Sequence, residues 1–149
     1  MYISPYFKNK HFRGDIGEKM VDQTVHGEIQ QLLGNGIYDE IHGIDSIFIN
    51  NDTGRILFVE SKFRQIWNAN HNVTDSLLGE GYGHVQMSRE WLKVIAKQME
   101  QHDHPLAGTV KNALLSEQYD LAVGVTNKNL DFFYYIWDGQ NWVFVKNFH

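Results

Sequence analysis

The stretch "GIDSIFINNDTGRILFVESKF", residues 43–63, predicts two neighbouring β-strands joined by a polar turn. Apolar residues dominate both halves of the stretch, and "NNDTG" between them is rich in residues that favour turns. We therefore predict a first strand over residues 41–50 and a second strand over residues 55–63. Asp45 interrupts the apolar pattern of the first strand, and Glu60 and Lys62 interrupt that of the second.

Side-chain alternation gathers these three charged residues in one place. Glu60 and Lys62 share a face of the second strand with Ile56 and Phe58, because successive side chains point to opposite faces. Both faces of both strands carry large apolar groups, so we expect a central hairpin that is covered on both sides. All three charges lie toward the end remote from the turn, where antiparallel pairing brings Asp45 close to the other two.

A cluster of buried charges needs partners. A lone buried charge costs several kcal/mol, so it persists only when it is paired or bound to a metal. A salt bridge of Lys62 with Asp45 or Glu60 is one explanation, but one lysine cannot neutralise two carboxylates. Surplus acidic oxygens suit a hard divalent cation, since Mg²⁺ is held by one or two carboxylates plus water and substrate phosphate. The sequence therefore favours a Mg²⁺ site, with Mn²⁺ as an alternative.

The rest of the chain predicts a single α/β domain over residues 1–149. A first helix is predicted over residues 14–33, with Asp15 as its cap and Glu18 on its apolar stripe. A long polar loop follows the hairpin at residues 64–83. The remaining predicted elements are helices over 84–101 and 109–117 and strands over 119–126, 130–137 and 141–147, the last two joined by an Asp138-Gly139 turn. The order α-β-β-α-α-β-β-β indicates a central mixed sheet flanked by helices.

Composition excludes several classes of site. The 149 residues contain no cysteine, which rules out disulfides, thiolate metal sites and a cysteine nucleophile within them. A formal net charge of −5 argues against a general nucleic-acid coat but is compatible with a bound cation that meets phosphate. No apolar run approaches the roughly 18 residues of a membrane helix, so no membrane anchor is expected. The eight histidines show no ligand spacing and are interpreted as surface loop residues, and Asp39 as a solvated turn residue.

"GID" in the first strand and "VESK" in the second resemble the PD-(D/E)xK, or restriction-endonuclease-like, nuclease superfamily. The resemblance implies a restriction-endonuclease-like core and metal-dependent hydrolysis of phosphodiester bonds. The proline that often precedes the aspartate in that superfamily is replaced here by Ile44. "QMSREW" at residues 86–91 resembles nuclease toxin domains of bacterial polymorphic and contact-dependent growth inhibition systems.

The resemblance also implies a role for each matching residue. Asp45 and Glu60 would hold the metal together with the backbone carbonyl of Ser61. Glu18 would bind it through water or through a second metal. Lys62 would orient or help to deprotonate the attacking water and stabilise negative charge on the phosphate. The catalytic set is completed by Gln86, which would touch the phosphate or the lysine.

We therefore expect an endonuclease that needs Mg²⁺ or Mn²⁺, with DNA favoured over tRNA or other RNA as its substrate. One setting is the toxic domain of an interbacterial toxin, neutralised by an immunity protein and active in the cytoplasm of the target cell. A stand-alone cytoplasmic nuclease in defence or DNA processing is the second setting. An alternative of a different class is a non-catalytic interaction module that keeps the nuclease-like fold.

Overall fold

A computed structural model describes residues 10–40 and 42–146 of the chain, with only the backbone described for residues 10–13. The helices are α1 (Lys10–Val25), α2 (Asp75–Leu78), α3 (Arg89–Gln101) and α4 (Ala107–Ser116). The strands are β1 (Gln30–Gly34), β2 (Ser46–Asn50), β3 (Ile56–Phe63), β4 (Glu80–Gly81), β5 (His84–Val85), β6 (Tyr119–Thr126), β7 (Phe132–Trp137) and β8 (Trp142–Phe144). None of the helices in these ranges combines the length and apolarity needed to span a bilayer.

Six of the strands form one mixed sheet in the order β1-β2-β3-β6-β7-β8. Neighbouring strands are antiparallel except for β3 and β6, which run parallel. A parallel pair needs a long crossover connection, and here it contains α2, the small β4–β5 hairpin, α3 and α4. The C-terminal end of β3 therefore lies beside the start of this crossover.

Each face of the sheet has its own apolar core. On one face α1 packs through Val21 and Val25 against Leu57 and Val59 of β3. The helix approaches the sheet so closely that a Cβ atom at Gly124 would lie 2.7 Å from a methyl group of Val21, so this position requires glycine. The opposite face packs against α3 and α4, with a core that includes Ile47, Phe58, Leu92, Ile95, Met99 and Val110.

The predicted mixed α/β architecture is confirmed at this level. All eight predicted elements are present, in the predicted order, and β6 coincides with the predicted strand over residues 119–126. The central hairpin of β2 and β3 is antiparallel and covered on both faces, as alternation indicated. The turn at Asp138-Gly139 joins β7 to β8 as an antiparallel pair.

The first predicted helix is wrong at both ends. The helix begins at Lys10, so Asp15 lies inside it rather than at its cap, and it ends at Val25. Residues 30–34 form β1 instead, which pairs with the edge of β2. The apolar residues of "EIQQLL" fit helical spacing, but backbone hydrogen bonds to β2 decide the conformation. Local propensity is overridden by tertiary pairing in such cases.

The first predicted strand begins too early. Residue 41 lies outside the described residues, and β2 starts only at Ser46. Gly43 adopts a φ of +133°, and a Cβ atom there would lie 2.2 Å from the carbonyl oxygen of Gly36. The chain before β2 is therefore a tightly folded loop, closed by a hydrogen bond from the Gly36 N–H to the Ile44 carbonyl (2.8 Å). Asp45 thus lies just beyond the end of the strand rather than within it.

The crossover is more structured than predicted. The polar segment 64–83 contains α2 and β4, and the following helix starts at Arg89 rather than at residue 84. The Ser88 hydroxyl accepts a hydrogen bond from the Trp91 N–H (3.3 Å) and caps that helix. The helix predicted over 109–117 spans Ala107–Ser116, and the strands predicted over 130–137 and 141–147 span Phe132–Trp137 and Trp142–Phe144. Residue 147 lies outside the described residues.

Candidate active site

The C-terminal end of β3 brings Asp45 and Glu60 together. The register of β2 on β3 pairs Ser46 with Val59, so the preceding residue, Asp45, comes opposite Glu60. The Asp45 carboxylate accepts a hydrogen bond from the Ser61 N–H at 2.8 Å, which fixes it against the strand. Ser61 thus contacts the cluster through its amide N–H, while the ligand role of its carbonyl stays a prediction.

Glu60 is the most deeply buried charged residue of the cluster, with 7% of its side chain exposed. Burial, followed by the neighbouring Asp45 carboxylate, raises the pKa of Glu60 well above its usual range, and Lys62 opposes this shift. Among the described residues, the buried Oε2 atom of Glu60 has no hydrogen-bond partner. Oε2 thus accepts no hydrogen bond from the described residues, while a side-chain hydrogen bond between Glu60 and Asp45 also contributes to the raised pKa of Glu60.

The ammonium group of Lys62 is only loosely paired with Glu60. Its Nζ atom lies 3.7 Å from Glu60 Oε1 but donates hydrogen bonds to the carbonyl of Leu78 and to Oε1 of Gln86, both at 3.1 Å. Both acceptors are neutral and come from the crossover. Lys62 is thus held in place by α2 and by the residue that follows β5, and it does not neutralise the two acids by direct hydrogen bonds.

Glu18 on α1 adds negative charge behind Asp45. Burial, followed by the carboxylates of Asp45, Asp15 and Asp22, raises the pKa of Glu18 to about 7. Glu18 is not among the residues that line the cleft described below, so it acts on the cluster through its charge. The helix reaches this point because Gly17 packs beside the carbonyl of Lys62.

A cleft of about 350 Å³ opens onto the two acids. Asp45 and Glu60 line it together with Gln86, and the half-buried Gln86 therefore contacts both the cleft and Lys62. The remaining lining residues form the walls and mouth of the cleft: His42, Gly43, Glu80, Gly81, Tyr82, Trp91 and Ile95. A larger recess of about 900 Å³ lies between residues 72–89 and residues 137–142, and Gln86 lines it as well. Because the larger recess contains neither acid, the smaller cleft is the candidate site.

The donor set fits a hard divalent cation. Asp45 and Glu60 supply two carboxylates at one cleft, and Oε2 of Glu60 is buried and unsatisfied within the described structure. No group of three or more His, Cys, Asp or Glu side chains converges as a metal site in residues 10–40 and 42–146. Mg²⁺ does not need such a group, since it is bound through one or two carboxylates, water and substrate phosphate. Glu18 therefore fits a role outside the direct ligands better than a role as a third ligand.

Sequence reasoning missed two polar contributors to the site. Asp22 accepts a hydrogen bond from the Ser46 hydroxyl at 2.5 Å, and burial raises its pKa. Its spacing of four residues from Glu18 on the same helix was the available signal. His42, interpreted only as a loop residue, lines the cleft beside the two acids. Its position depends on the fold of the loop before β2, which no spacing rule indicates.

No protein-family model, curated protein or solved structure matches this chain. The fold and the cluster are therefore interpreted from their own geometry. The five residues that the sequence proposes as catalytic lie near one another: Asp45, Glu60, Lys62 and Gln86 are linked by contacts or by a shared cleft, and Glu18 interacts with the two acids through its charge.

Proposed function

We propose that this protein is a metal-dependent nuclease that hydrolyses phosphodiester bonds in nucleic acid. The observation that carries the proposal is the pair of the half-buried Asp45 and the buried Glu60, which leaves Oε2 of Glu60 without a partner beside a cleft, while the donors of Lys62 go to neutral oxygens. A purely structural cluster would be expected to match its charges one to one. Here two acids share one loosely paired lysine, and a cation supplies the missing positive charge.

In this proposal Asp45 and Glu60 hold the cation. A bound divalent cation would polarise the scissile phosphate and lower the pKa of its bound water. Lys62 does not itself line the cleft, so it acts through its charge. Its ammonium group is fixed and largely shielded from solvent, with 16% of its side chain exposed, and it stabilises the negative charge that develops on the phosphate oxygens. Gln86 orients Lys62 by accepting one of its hydrogen bonds.

The charge of the protein supports a cation-dependent contact with a polyanion. The formal net charge is −5, and the cleft itself is lined by three acidic residues, Asp45, Glu60 and Glu80. A phosphate would be repelled from this cleft in the absence of a cation. Cleavage should therefore be strictly dependent on divalent metal and should stop when the metal is chelated.

A cleavage assay tests the proposal. Wild-type protein and Glu60→Gln are incubated with plasmid DNA and, separately, with total tRNA, in Mg²⁺, in Mn²⁺ and in EDTA. We expect the wild type to cut one of the polymers with metal only, and Glu60→Gln to be inactive. Arg55→Ala, a change at the other end of β3, is the matched control and should cut like the wild type.

The same assay separates the alternatives. The polymer that is cut distinguishes DNA, which the sequence favours, from tRNA or other RNA. Cleavage of neither polymer in either metal would contradict the proposal and favour a non-catalytic interaction module. The toxin setting, and with it an immunity protein as partner, stays a prediction from the "QMSREW" resemblance.

A further inference from the structure

An aspartate and a histidine form a dyad in the loop before β2. Nδ1 of His42 lies 2.8 Å and 2.9 Å from the two carboxylate oxygens of Asp39. The backbone N–H of His42 donates a further hydrogen bond to the same carboxylate at 2.8 Å. Because a carboxylate only accepts hydrogen bonds, Nδ1 carries a proton, and Nε2 is the nitrogen that can exchange one.

Aromatic residues fix the imidazole ring of His42 from two further directions. The ring of Tyr38 is stacked on it with a centroid distance of 6.4 Å, and the ring of Tyr82 from the β4–β5 hairpin lies at 6.3 Å. The hydroxyl groups of the two tyrosines are hydrogen-bonded to each other. The ring is thus positioned by its own loop and by the crossover together.

The held histidine borders the candidate active site. His42 lines the same cleft of about 350 Å³ as Asp45 and Glu60. Half of the His42 side chain is exposed, whereas Glu60 is buried, so the histidine lies at the mouth and the acid at the floor. Among the described residues, no hydrogen bond involves Nε2 of His42. A phosphate seated between floor and mouth would have the acids on one side and His42 on the other.

We propose that His42 is the general acid of the hydrolysis and that Asp39 is its positioning residue; this inference rests on the proposed nuclease function. Water attacks phosphorus and forms a new P–O bond, and one of its protons passes to solvent. The bond from phosphorus to the leaving sugar oxygen breaks, and its electron pair stays on that oxygen. The proton on Nε2 of the doubly protonated His42 transfers to the oxygen, which departs as an alcohol. The neutral imidazole then regains a proton from solvent.

The surroundings of His42 match this role. The carboxylate of Asp39 contacts the ring directly, and Glu80, Asp45 and Glu60 line the same cleft, in which the last two acids would hold the cation of the proposed function. The other titratable groups nearby are Tyr38, Tyr82 and His102, the last packed on Tyr38. An alkoxide leaving group gains most from a positioned acid, and general acids contribute typically 10²–10⁴-fold to rate.

A leaving-group substitution tests the proposal. Single-site oligonucleotides of the polymer that the wild type cuts are prepared with oxygen, with 3′-bridging sulfur or with 5′-bridging sulfur at one bond. The pKa of a thiol is about seven units below that of water, and a sugar hydroxyl resembles water in this respect. A thiolate leaving group therefore departs without protonation, whereas the sugar oxygen needs a proton. Rates at that bond are measured in Mn²⁺ for wild type, His42→Gln and Asp39→Asn. His71→Gln, a histidine outside the cleft, is the control.

We expect His42→Gln to slow cleavage of the oxygen bond by about 100-fold and to cut one of the two sulfur bonds within about threefold of the wild type. Asp39→Asn should lose less on oxygen and show the same rescue by sulfur, whereas a merely structural role would slow both bonds equally. Equal loss on oxygen and on both sulfur bonds would overturn the general-acid role while leaving the nuclease function intact. If the wild type cuts none of the substrates, the proposed function itself fails.

Discussion

The two ends of β3 carry charges that are arranged in opposite ways. At its start, Arg55 donates two hydrogen bonds of 3.0 Å to the carboxylate of Asp120. It donates further hydrogen bonds to the side chain of Gln118 and to the carbonyl of Tyr119. One cation meets one anion there, at the surface, and the guanidinium donates four hydrogen bonds. At the other end, Glu60 faces a second carboxylate and keeps one oxygen without a partner.

Charge matching separates a structural ion pair from a candidate metal centre. A surface pair with matched charges is complete by itself and contributes about 0–1 kcal/mol to stability. The buried Glu60 beside the half-buried Asp45, with one lysine 3.7 Å from Glu60, is incomplete, because a buried charge needs compensation. Incomplete charge matching is the reason that we propose the C-terminal end of β3 as a cation site.

The largest expected effect is loss of cleavage when the unmatched charges at the C-terminal end of β3 are altered. Asp45→Ala, Glu60→Ala and Lys62→Ala should each reduce the initial rate by about 10³-fold or more, since metal binding or transition-state charge stabilisation is removed. Circular dichroism should show a retained fold in each case. Full activity in any one of the three variants would refute the assigned mechanism.

A smaller effect is expected at the residue that holds the lysine. Gln86→Leu removes the acceptor at 3.1 Å from Nζ of Lys62, so the ammonium group loses part of its orientation. Groups that orient a directly acting residue typically contribute about 10–100-fold, and we expect a rate loss of that size in single-turnover cleavage. Gln23→Leu, an exposed change on α1, is the control and should have no effect. An unchanged rate in Gln86→Leu would remove this residue from the site.

Glu18 should make the free energy of unfolding depend on pH. Its pKa is raised from 4.5 to about 7 in the folded protein, so the folded state binds more protons than the unfolded state between these values. The free energy of unfolding then falls as pH rises through that window. We expect Glu18→Gln to be more stable than the wild type above pH 7 by about 1 kcal/mol, because solvent screens a half-buried group, and to match it below pH 4.5.

Urea unfolding from pH 4 to pH 8 measures this difference. Glu28→Gln is the control, because Glu28 is exposed in the turn after α1 and should give a difference that is constant with pH. A Glu18→Gln difference that is also constant with pH would show that this acid does not interact with the cluster.

The smallest effect is expected at the start of β3, where Arg55 and Asp120 match each other's charge. Arg55→Ala removes a surface ion pair, so the free energy of unfolding should fall by no more than about 1 kcal/mol, and the cleavage rate should not change. Chemical denaturation and the cleavage assay check both statements. A large loss of activity in this variant would mean that charge matching does not separate the two ends of the strand.

Strand alternation was sufficient to predict the cluster itself. Asp45, Glu60 and Lys62 could be brought together from the sequence because an antiparallel hairpin has only two faces and the charges lie at one end of it. The bond between Lys62 and Gln86 was one of two options, and it depends on the folding of the crossover. That folding includes α2 and the β4–β5 hairpin, which the polar sequence of residues 64–83 did not reveal.

Two features could not be predicted because distant backbone decides them. β1 has the spacing of a helix, and only its pairing with β2 makes it a strand. The place of His42 depends on Gly43, whose positive φ lets the loop fold onto Gly36. Neither contact has a signal in local sequence, since both join residues that acquire their partners only in the assembled fold.

Thermal unfolding of wild type and Glu60→Gln, with and without Mn²⁺, tests whether Glu60 holds a divalent cation. Without metal, Glu60→Gln should unfold at the same or a higher temperature than the wild type, because the amide relieves the repulsion with Asp45. At one hundred times the dissociation constant, Mn²⁺ should stabilise the wild type by about 2.7 kcal/mol, which is roughly 5–10 °C for a chain of this size, and should leave the variant unchanged. A lower unfolding temperature of the variant without metal, together with an equal rise of the unfolding temperature by Mn²⁺ in both proteins, would contradict a cation site at Glu60.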